Sequence, residues 1–590
     1  MERNDVAGRA KDYIARENDP YFRDEVKKLL EAEDYTELED RFYRNLEFGT
    51  GGLRGVIGGG YNRMNTLVVK SATQGLANYI RRAFPEKAAA PGGLKAAIAF
   101  DSRRYSAEFA EAAALIFAAN GIKAYLFSAL RPTPELSFAI RLLGCDTGLV
   151  VTASHNPPQY NGYKAYWNDG AQVIPPHDKG IIAEVEAVAE IREMPREEAL
   201  GAGLLRIIDR EVDEPYQAMV KSRLFRPDLI REKAGEVKIV YTPLHGTGAF
   251  HVEKILGDLG LKVITVPEQR EGNGGFPTVA FPNPEEAAAL DMAIKLAGKE
   301  KADVVMATDP DADRFGIAVR GALGDYTLVT GNQMGVLLAD YIFLSLRESG
   351  KMPASPVMVN TIVTTGMQKA VAASYGVTCV EVLTGFKWIA DIMRRCDSGE
   401  GTFVFGTEES YGYLVENEVR DKDGISASAL TAEMTLYWRS RGKSLLDRLT
   451  ELYAGHGYWQ ELSISKYFQG PEGPGIMKGI MDEYRKNPPS ALGGIRVEKV
   501  RDVLESVWKI PGESGGIAGE SFSDIPKSDV LQFFLEDGTV VSARPSGTEP
   551  KIKFYATCRA SAENGVEAAK AEAGRKLDAI KSDIRKVIGE

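Results

Sequence analysis

The chain has 590 residues, enough for roughly three to five domains of ordinary size, each able to bury its own core. It is 44% hydrophobic and 26% charged, the balance of a folded soluble protein, and its formal net charge is −11. That charge excludes the broad basic footprint needed for non-specific binding to nucleic acid or an anionic membrane, but not a local cationic pocket for an anionic substrate. Cys145, Cys379, Cys396 and Cys558 are widely spaced without a CxxC pair, so neither a zinc site nor a disulfide framework is predicted. The N-terminus is charged without an apolar core segment, and no apolar run is long enough to span a bilayer; the expectation is a cytoplasmic protein.

The first forty or so residues read as helical and acidic, with Val26, Leu29, Leu30 and Leu38 at near-helical spacing among charges. Glycine-rich Phe48–Gly60 follows. A strand is predicted at Leu94–Phe100, ending in Asp101, then a helix over Ala107–Asn120 and a strand over Ile122–Phe127. This βαβ rhythm restarts at Val237–Tyr241, with a helix at His251–Leu259 and strands at Lys262–Val266 and Ala302–Ala307. It restarts again at Pro356–Thr361, with a helix near Thr365–Tyr375 and a strand at Thr378–Val382. The last stretch differs. A glycine-rich loop at Pro511–Gly519 precedes short strands at Val530–Leu535 and Thr539–Ala543, an alternating segment at Lys551–Thr557 and an amphipathic helix over Glu563–Ile588. The prediction is an α/β chain of three related mixed-sheet βαβ domains and one C-terminal α+β domain. The domains are placed at 1–205 (with an N-terminal helical extension), 206–324, 325–460 and 461–590.

Four loops carry candidate chemistry. Thr152-Ala153-Ser154-His155-Asn156-Pro157 follows the apolar strand Gly148–Val151, at the strand end where open α/β sheets gather ligands. Ser154 is the candidate nucleophile, although its surroundings are not the GxSxG of a hydrolase elbow, and a Ser/Asn turn uses the same residues. In Asp309-Pro310-Asp311-Ala312-Asp313-Arg314, carboxylates on alternate residues can converge on one hard cation, Mg, Mn or Ca rather than zinc. An EF-hand is excluded, because its sixth and twelfth positions would fall on Arg314 and Arg320. Gly406-Thr407-Glu408-Glu409-Ser410 offers carboxylates and a hydroxyl suited to sugar hydroxyls, and equally a strand-end turn. In Arg544-Pro545-Ser546-Gly547-Thr548-Glu549-Pro550-Lys551, an arginine fork with Ser546, Gly547, Thr548 and Lys551 can cradle a phosphate. Arg54 is a further candidate phosphate ligand. His245 reads as part of a structural turn.

In this order the four loops resemble those of the phosphohexomutase family, which includes phosphoglucomutases and phosphomannomutases. TASHNP is similar to its phosphoserine signature, DPDADR to its magnesium loop, GTEES to its sugar-recognition loop and RPSGTEPK to its phosphate-binding loop. FGTGGLRG, NGYKAYW, FPTVAFPNPEE and GFKWIA agree as well, so the resemblance runs from about Phe48 to the C-terminus. It implies four domains around a central active-site cleft, each supplying one loop. It further implies a phosphorylated Ser154 whose phosphate, with Asp309, Asp311 and Asp313, holds Mg²⁺, and a sugar 1,6-bisphosphate intermediate that turns round and returns its other phosphate. Arg314 and His155 would stabilise the transferring group. Lys164 and Lys387 are both candidates for the base, since burial among cations can lower a lysine's pKa. Glu408 and Ser410 would touch the sugar, and the Arg544–Lys551 loop its second phosphate. The partners implied are a sugar phosphate and glucose 1,6-bisphosphate as activator, with the protein a monomer or small homo-oligomer.

GTEES in place of GEMS, and Phe386 after Gly385 where the bacterial mannomutase/glucomutases place histidine, resemble the longer phosphoglucomutases and the phosphopentomutases. The expectation is therefore a phosphoglucomutase. Mannose or pentose specificity, or a glucose 1,6-bisphosphate synthase, are the alternatives. A silent sugar-phosphate binding protein is disfavoured by the intact Ser154 and aspartate triplet.

Overall fold

The first sheet is built from β1 (Gly52–Val56), β2 (Lys95–Phe100), β3 (Lys123–Phe127), β4 (Thr147–Val151), β5 (Tyr160–Trp167) and β6 (Leu205–Ile208), in the order β1-β5-β4-β2-β3-β6. Its parallel centre, β4-β2-β3-β6, is flanked by the antiparallel pair β5 and β1. β4 is buried along its whole length, as a strand covered on both faces must be, and this explains its unbroken apolar run. The computed structural model describes residues 3–49, 52–90, 92–468, 472–510, 521–546 and 551–589. The glycine-rich 511–519 stretch, Gly547 and Thr548 fall outside them.

A second mixed sheet contains β7 (Lys238–Thr242), β8 (Lys262–Thr265), β9 (Val304–Thr308), β10 (Phe315–Arg320) and β11 (Tyr326–Val329), in the order β11-β10-β9-β7-β8. In the third, β12 (Pro356–Thr361) lies between β13 (Thr378–Val382) and β14 (Thr402–Glu408), parallel to both. After β15 (Gly412–Leu414) comes the C-terminal sheet, with β16 (Tyr458–Tyr467), β17 (Ala491–Leu492), β18 (Ile495–Asp502), β19 (Val507–Lys509), β20 (Leu531–Leu535), β21 (Val540–Pro545) and β22 (Lys551–Ala560). Its pairings are antiparallel. β22 alternates buried and half-buried residues. Helix Val566–Val587 packs on β16 and β22, burying Ala569, Ala573, Leu577, Ile580 and Ile584 at helical spacing. Three βαβ-type sheets and an α+β tail are thus present, as the sequence predicts.

The elements group into two units, Met1–Thr330 with Ser410–Ser440, and Gly331–Glu409 with Arg441–Glu590. Residues 410–440 therefore pack with the first two sheets. Helix Gly424–Arg439 in that segment is buried from Gly424 to Trp438, and Asp423 caps it by accepting hydrogen bonds from the amides of Ile425 (2.8 Å) and Ser426 (2.9 Å). Gly424 sits where an added Cβ would lie 2.7 Å from the Ala312 carbonyl oxygen, and its amide donates to that oxygen at 3.1 Å. Gly424→Ala is expected to destabilise the first unit by about 1–3 kcal/mol through overpacking, read as a lower urea midpoint; an unchanged midpoint would show that this contact relaxes freely.

Candidate active site

Ser154 lies just beyond β4, 4% exposed, in the left-handed region at φ 51°. A non-glycine residue there is strained and needs its surroundings to hold it. Thr152 Oγ1 accepts from the Ser154 amide at 2.8 Å, and Ala153 O from the Asn156 amide at 3.1 Å. The larger restraint is Arg103, in the loop after β2. Its guanidinium donates to the carbonyls of Ser154 (2.6 Å), Pro157 (2.8 Å), Tyr160 (3.0 Å) and Asn156. Arg103 pairs with buried Asp101 at 3.3 Å and lies over the Phe276 ring at 4.9 Å. Asp101 in turn accepts from the Arg103 amide and Ser106 Oγ. Gly162 on β5 lets the backbones close in. A Cβ there would lie 2.4 Å from the Thr152 carbonyl oxygen and 2.9 Å from that of Leu53.

The loop after β9 brings Asp309, Asp311 and Asp313 together, all buried, each offering an oxygen within 4.8 Å of the others. Ala312 at φ 51° turns the loop, and Asp309 Oδ1 accepts from the Arg314 amide at 3.0 Å. Ser154 Oγ donates to Asp309 Oδ2 at 2.7 Å and lies 3.2 Å from His155 Nδ1, so the first two predicted loops meet in one site. Lys164 on β5 reaches Asp311 at 2.8 Å and Asp313 at 3.5 Å. Lys422 reaches Asp313 and Asp421, both at 3.2 Å. Thr133 donates its amide to Asp311 O and its hydroxyl to Asp311 Oδ2, both at 2.9 Å. Arg314 pairs with Glu285. Arg54 is exposed on β1, opposite Gly162.

These charges shift one another. Burial, then the neighbouring Asp311 and Asp313, raises Asp309 well above the usual carboxylate range. Burial would raise Asp311 too, but Lys164 and the hydrogen bonds outweigh it and hold Asp311 low. Burial, with Arg314 and Arg54 next, holds His155 well below its ordinary value, so its ring is neutral and contributes a hydrogen bond rather than a charge. Burial pulls Lys164 down, but Asp311 and Asp313 outweigh it and the ammonium titrates above its ordinary value. The depressed lysine expected of a base is therefore not what these surroundings produce.

Oxygen donors alone, in a buried triplet, suit a hard divalent cation. Asp311 Oδ1 and Asp313 Oδ1 are buried without a hydrogen-bond partner among the described residues, which leaves acceptor capacity that a cation would use. The donor set fits Mg²⁺. Glu135, Asp213 and His251 form another buried group, but Arg131 donates to both Asp213 oxygens (2.8 and 3.0 Å) and His251 Nε2 meets Glu135 at 2.8 Å. It is a hydrogen-bonded network that includes Glu135 of the helix Thr133 begins and the Arg131–Asp213 ion pair.

Other predicted residues lie in the second unit. Lys387 sits over the Trp388 ring at 5.4 Å. Glu408 Oε1 accepts from the Gly385 amide at 2.8 Å, tying the predicted sugar loop to GFKW. The Ser546 amide donates to Lys551 O at 2.7 Å, and Lys551 Nζ to the Tyr467 hydroxyl at 2.8 Å, with Arg544 next to last in β21. Ser410, half-buried, opens the segment that packs with the first unit. His245, at φ 60°, bonds Thr278 at 2.8 Å and is part of a turn, as its sequence context suggests.

Family models described as phosphoglucomutase/phosphomannomutase α/β/α domains I, II and III match residues 45–192, 214–323 and 330–455, and the C-terminal domain of the same family matches 491–575. The chain belongs to the phosphoglucomutase/phosphomannomutase family. It is therefore an enzyme of the phosphohexomutase, isomerase class. It is 34% identical over 573 residues to a phosphopentomutase of Homo sapiens, covering 94% of this chain and 92% of that one. It is 35% identical over 535 residues to a phosphoglucomutase of Staphylococcus haemolyticus, covering 90% and 93%. Its fold matches the open form of parafusin, a phosphoglucomutase from Paramecium, with a TM-score of 0.69 at 18% identity over 93% of this chain and 96% of that one. No helix among the described residues is long and apolar enough to cross a membrane.

Arg103, Thr133 and Lys422 escaped the sequence reading. Arg103 had a usable signal, a cation just past a strand ending in Asp101. Thr133 looks like an ordinary helix start, and Lys422 in Arg-Asp-Lys-Asp looks like a solvated turn. Arg103→Met leaves Asp101 buried without its cation, and should cost about 3–5 kcal/mol of stability by urea denaturation; a shift under 1 kcal/mol would mean the loop does not depend on this guanidinium. Burial pushes Glu135 up to about 7, against roughly 4.3 in an unfolded chain. Between those values the folded carboxyl holds a proton that the unfolded one has lost, so Glu135 makes stability fall as pH rises through this window. Glu135→Gln should show a smaller drop in melting temperature from pH 5 to 7.5 than the parent protein; equal drops would reject the shift.

Proposed function

We propose that the protein is a phosphoglucomutase. It would interconvert α-D-glucose 1-phosphate and glucose 6-phosphate through phosphorylated Ser154 and glucose 1,6-bisphosphate. The observation that carries this reading is the 2.7 Å hydrogen bond from Ser154 Oγ to Asp309, which joins a candidate nucleophile to an all-carboxylate cation site. Asp309, Asp311, Asp313 and the phosphate on Ser154 would hold Mg²⁺, and the ion would supply charge neutralisation of the transferring group. In the forward half-reaction a sugar hydroxyl oxygen bonds to phosphorus and the bond from phosphorus to Ser154 Oγ breaks. The hydroxyl proton passes to a base while the departing Ser154 Oγ takes up a proton, restoring the serine hydroxyl, and the return step reverses this with the other phosphate.

His155 would donate a hydrogen bond and Arg314 a charge to the moving phosphoryl group. Lys164 already carries its proton beside Asp311 and Asp313, so it enters the cycle as a charge balancer and proton donor. Lys387 remains the alternative partner for the hydroxyl. Glu408 and Ser410 would contact the sugar. Arg54 would be a phosphate ligand, and Arg544, Ser546, Gly547, Thr548 and Lys551 would hold the phosphate that is not reacting. On this reading the four domains run 1–205, 206–324, 325–460 and 461–590. Pentose specificity is the second reading, because a relative named phosphopentomutase is about as similar as one named phosphoglucomutase.

A coupled assay with Mg²⁺ and a trace of the bisphosphate should favour glucose 1-phosphate over ribose 1-phosphate and mannose 1-phosphate by roughly tenfold or more, about 1.4 kcal/mol of discrimination. Preference for ribose would keep the chemistry and change the sugar. Silence with all three would point to a bisphosphate synthase. Ser154→Ala should lower kcat roughly a thousandfold or more with the fold intact by circular dichroism; near-normal turnover would falsify the phosphoserine mechanism. Exhaustive EDTA treatment should stop the enzyme and Mg²⁺ restore it, whereas activity that survives chelation would remove the role given to the aspartates.

A further inference from the structure

The family match to domain I begins at residue 45, yet helices Arg3–Arg16, Pro20–Glu31 and Tyr35–Phe42 precede it. They are an integral part of the first unit, since Val6, Ala10, Tyr13, Phe22, Val26, Leu38 and Phe42 are 2% exposed or less. Among their polar contacts, those of Glu25 and Arg41 hold the glycine triplet Gly58-Gly59-Gly60 that follows β1.

Glu25 Oε2 accepts from the Gly59 amide at 2.7 Å, and Arg41 Nη1 donates to the Gly59 carbonyl at 3.0 Å. Both main-chain polar groups of one residue are therefore held by two side chains that also pair with each other at 2.9 Å. The fit is tight. A Cβ on Gly59 would lie 2.3 Å from the Phe22 carbonyl oxygen, and Gly60, at φ 126°, would bring one within 2.8 Å of Arg41 Cβ. Beyond the triplet, the Asn62 amide donates to Arg41 O at 2.9 Å, and Asn65 Nδ2 donates to Gly58 O (3.0 Å) and Gly60 O (2.7 Å).

This grip bears on the site through β1. Among the described residues β1 is an edge strand, paired along its length with β5, which carries Lys164. The loop returns to it through the Met64 amide, which donates to Val56 O at 2.8 Å. Arg54 lies in the middle of β1, and its charge is felt at His155. β1 is registered on β5 through five residue pairs, with Arg54 opposite Gly162, so what holds the glycine turn after β1 bears on the strand end just beyond Arg54.

We infer that the Glu25–Arg41 clasp is a positioning device for Arg54, so that the N-terminal helices set the binding of a sugar phosphate without touching it. The inference rests on the reading of Arg54 as a phosphate ligand. The test is a double-mutant cycle on the full chain, with KM and kcat measured for glucose 1-phosphate and for ribose 1-phosphate, and circular dichroism confirming folding at the assay temperature. Arg54→Ala should raise KM about tenfold or more. Arg41→Met should raise KM severalfold with kcat within twofold of the parent, and Arg41→Met added to Arg54→Ala should change KM by less than twofold. Glu25→Gln keeps an acceptor for the Gly59 amide but loses the charge; it should give the same ordering at smaller size, and serves if Arg41→Met does not fold.

A normal KM in both clasp variants would overturn the inference, as would an equal rise from Arg41→Met with and without Arg54. A silent Arg54→Ala would overturn the phosphate-ligand reading itself, a failure distinct from that of the clasp.

Discussion

Everything in the first unit's site is arranged around three carboxylates that must share one dry corner. Like charges this close cannot all ionise without compensation. The protein compensates unevenly, giving the Asp311 carboxylate a lysine and one threonine hydroxyl, Asp313 two lysines, and Asp309 the Ser154 hydroxyl, the Arg314 amide and the nearby Arg314 charge. Asp309 is the carboxylate whose charged form is least favoured, and it is the one that holds the serine. A divalent cation, or a phosphate bringing one, would meet a site whose own cations balance only part of its negative charge.

The serine side of the site solves a different problem. Its left-handed backbone is unfavourable for any residue with a Cβ, and a loop of turn residues has little intrinsic rigidity. One guanidinium gathering four carbonyls fixes the loop as a unit, and the buried Asp101 keeps that guanidinium charged against the pull of burial, the main influence lowering it. Arginine suits this place because its planar fork presents several donors at fixed angles, which a lysine cannot do.

Much of this was legible in the sequence. The strands β2, β4 and β12 announce themselves as apolar runs because they are covered on both faces, and the Ser154 and Asp309 loops stand at strand ends, where chemistry collects. What the sequence hid is informative. β16 and β18 were not anticipated, because β16 is half-buried or exposed over most of its length and carries mixed residues without a clean alternation. Helix Gly424–Arg439 shows no polar face because solvent reaches none of its buried length, so periodicity had nothing to report. Lys164 was read as a lysine among cations, when its neighbours are carboxylates; the sign of a pKa shift depends on who sits within a few ångströms, which chain order does not tell.

The return of residues 410–440 to the first unit has a consequence for how the protein is made. Synthesis proceeds from the N-terminus, and domains that are continuous in sequence can fold as they emerge. Here the first unit is discontinuous. Its sheets can be complete by residue 330, but Asp421, Lys422 and the buried helix arrive more than eighty residues later, after a whole further sheet has been translated. Until then the nascent unit carries its acidic triplet with one lysine instead of two and with an uncovered hydrophobic surface, so at that stage it is not an independently finished domain.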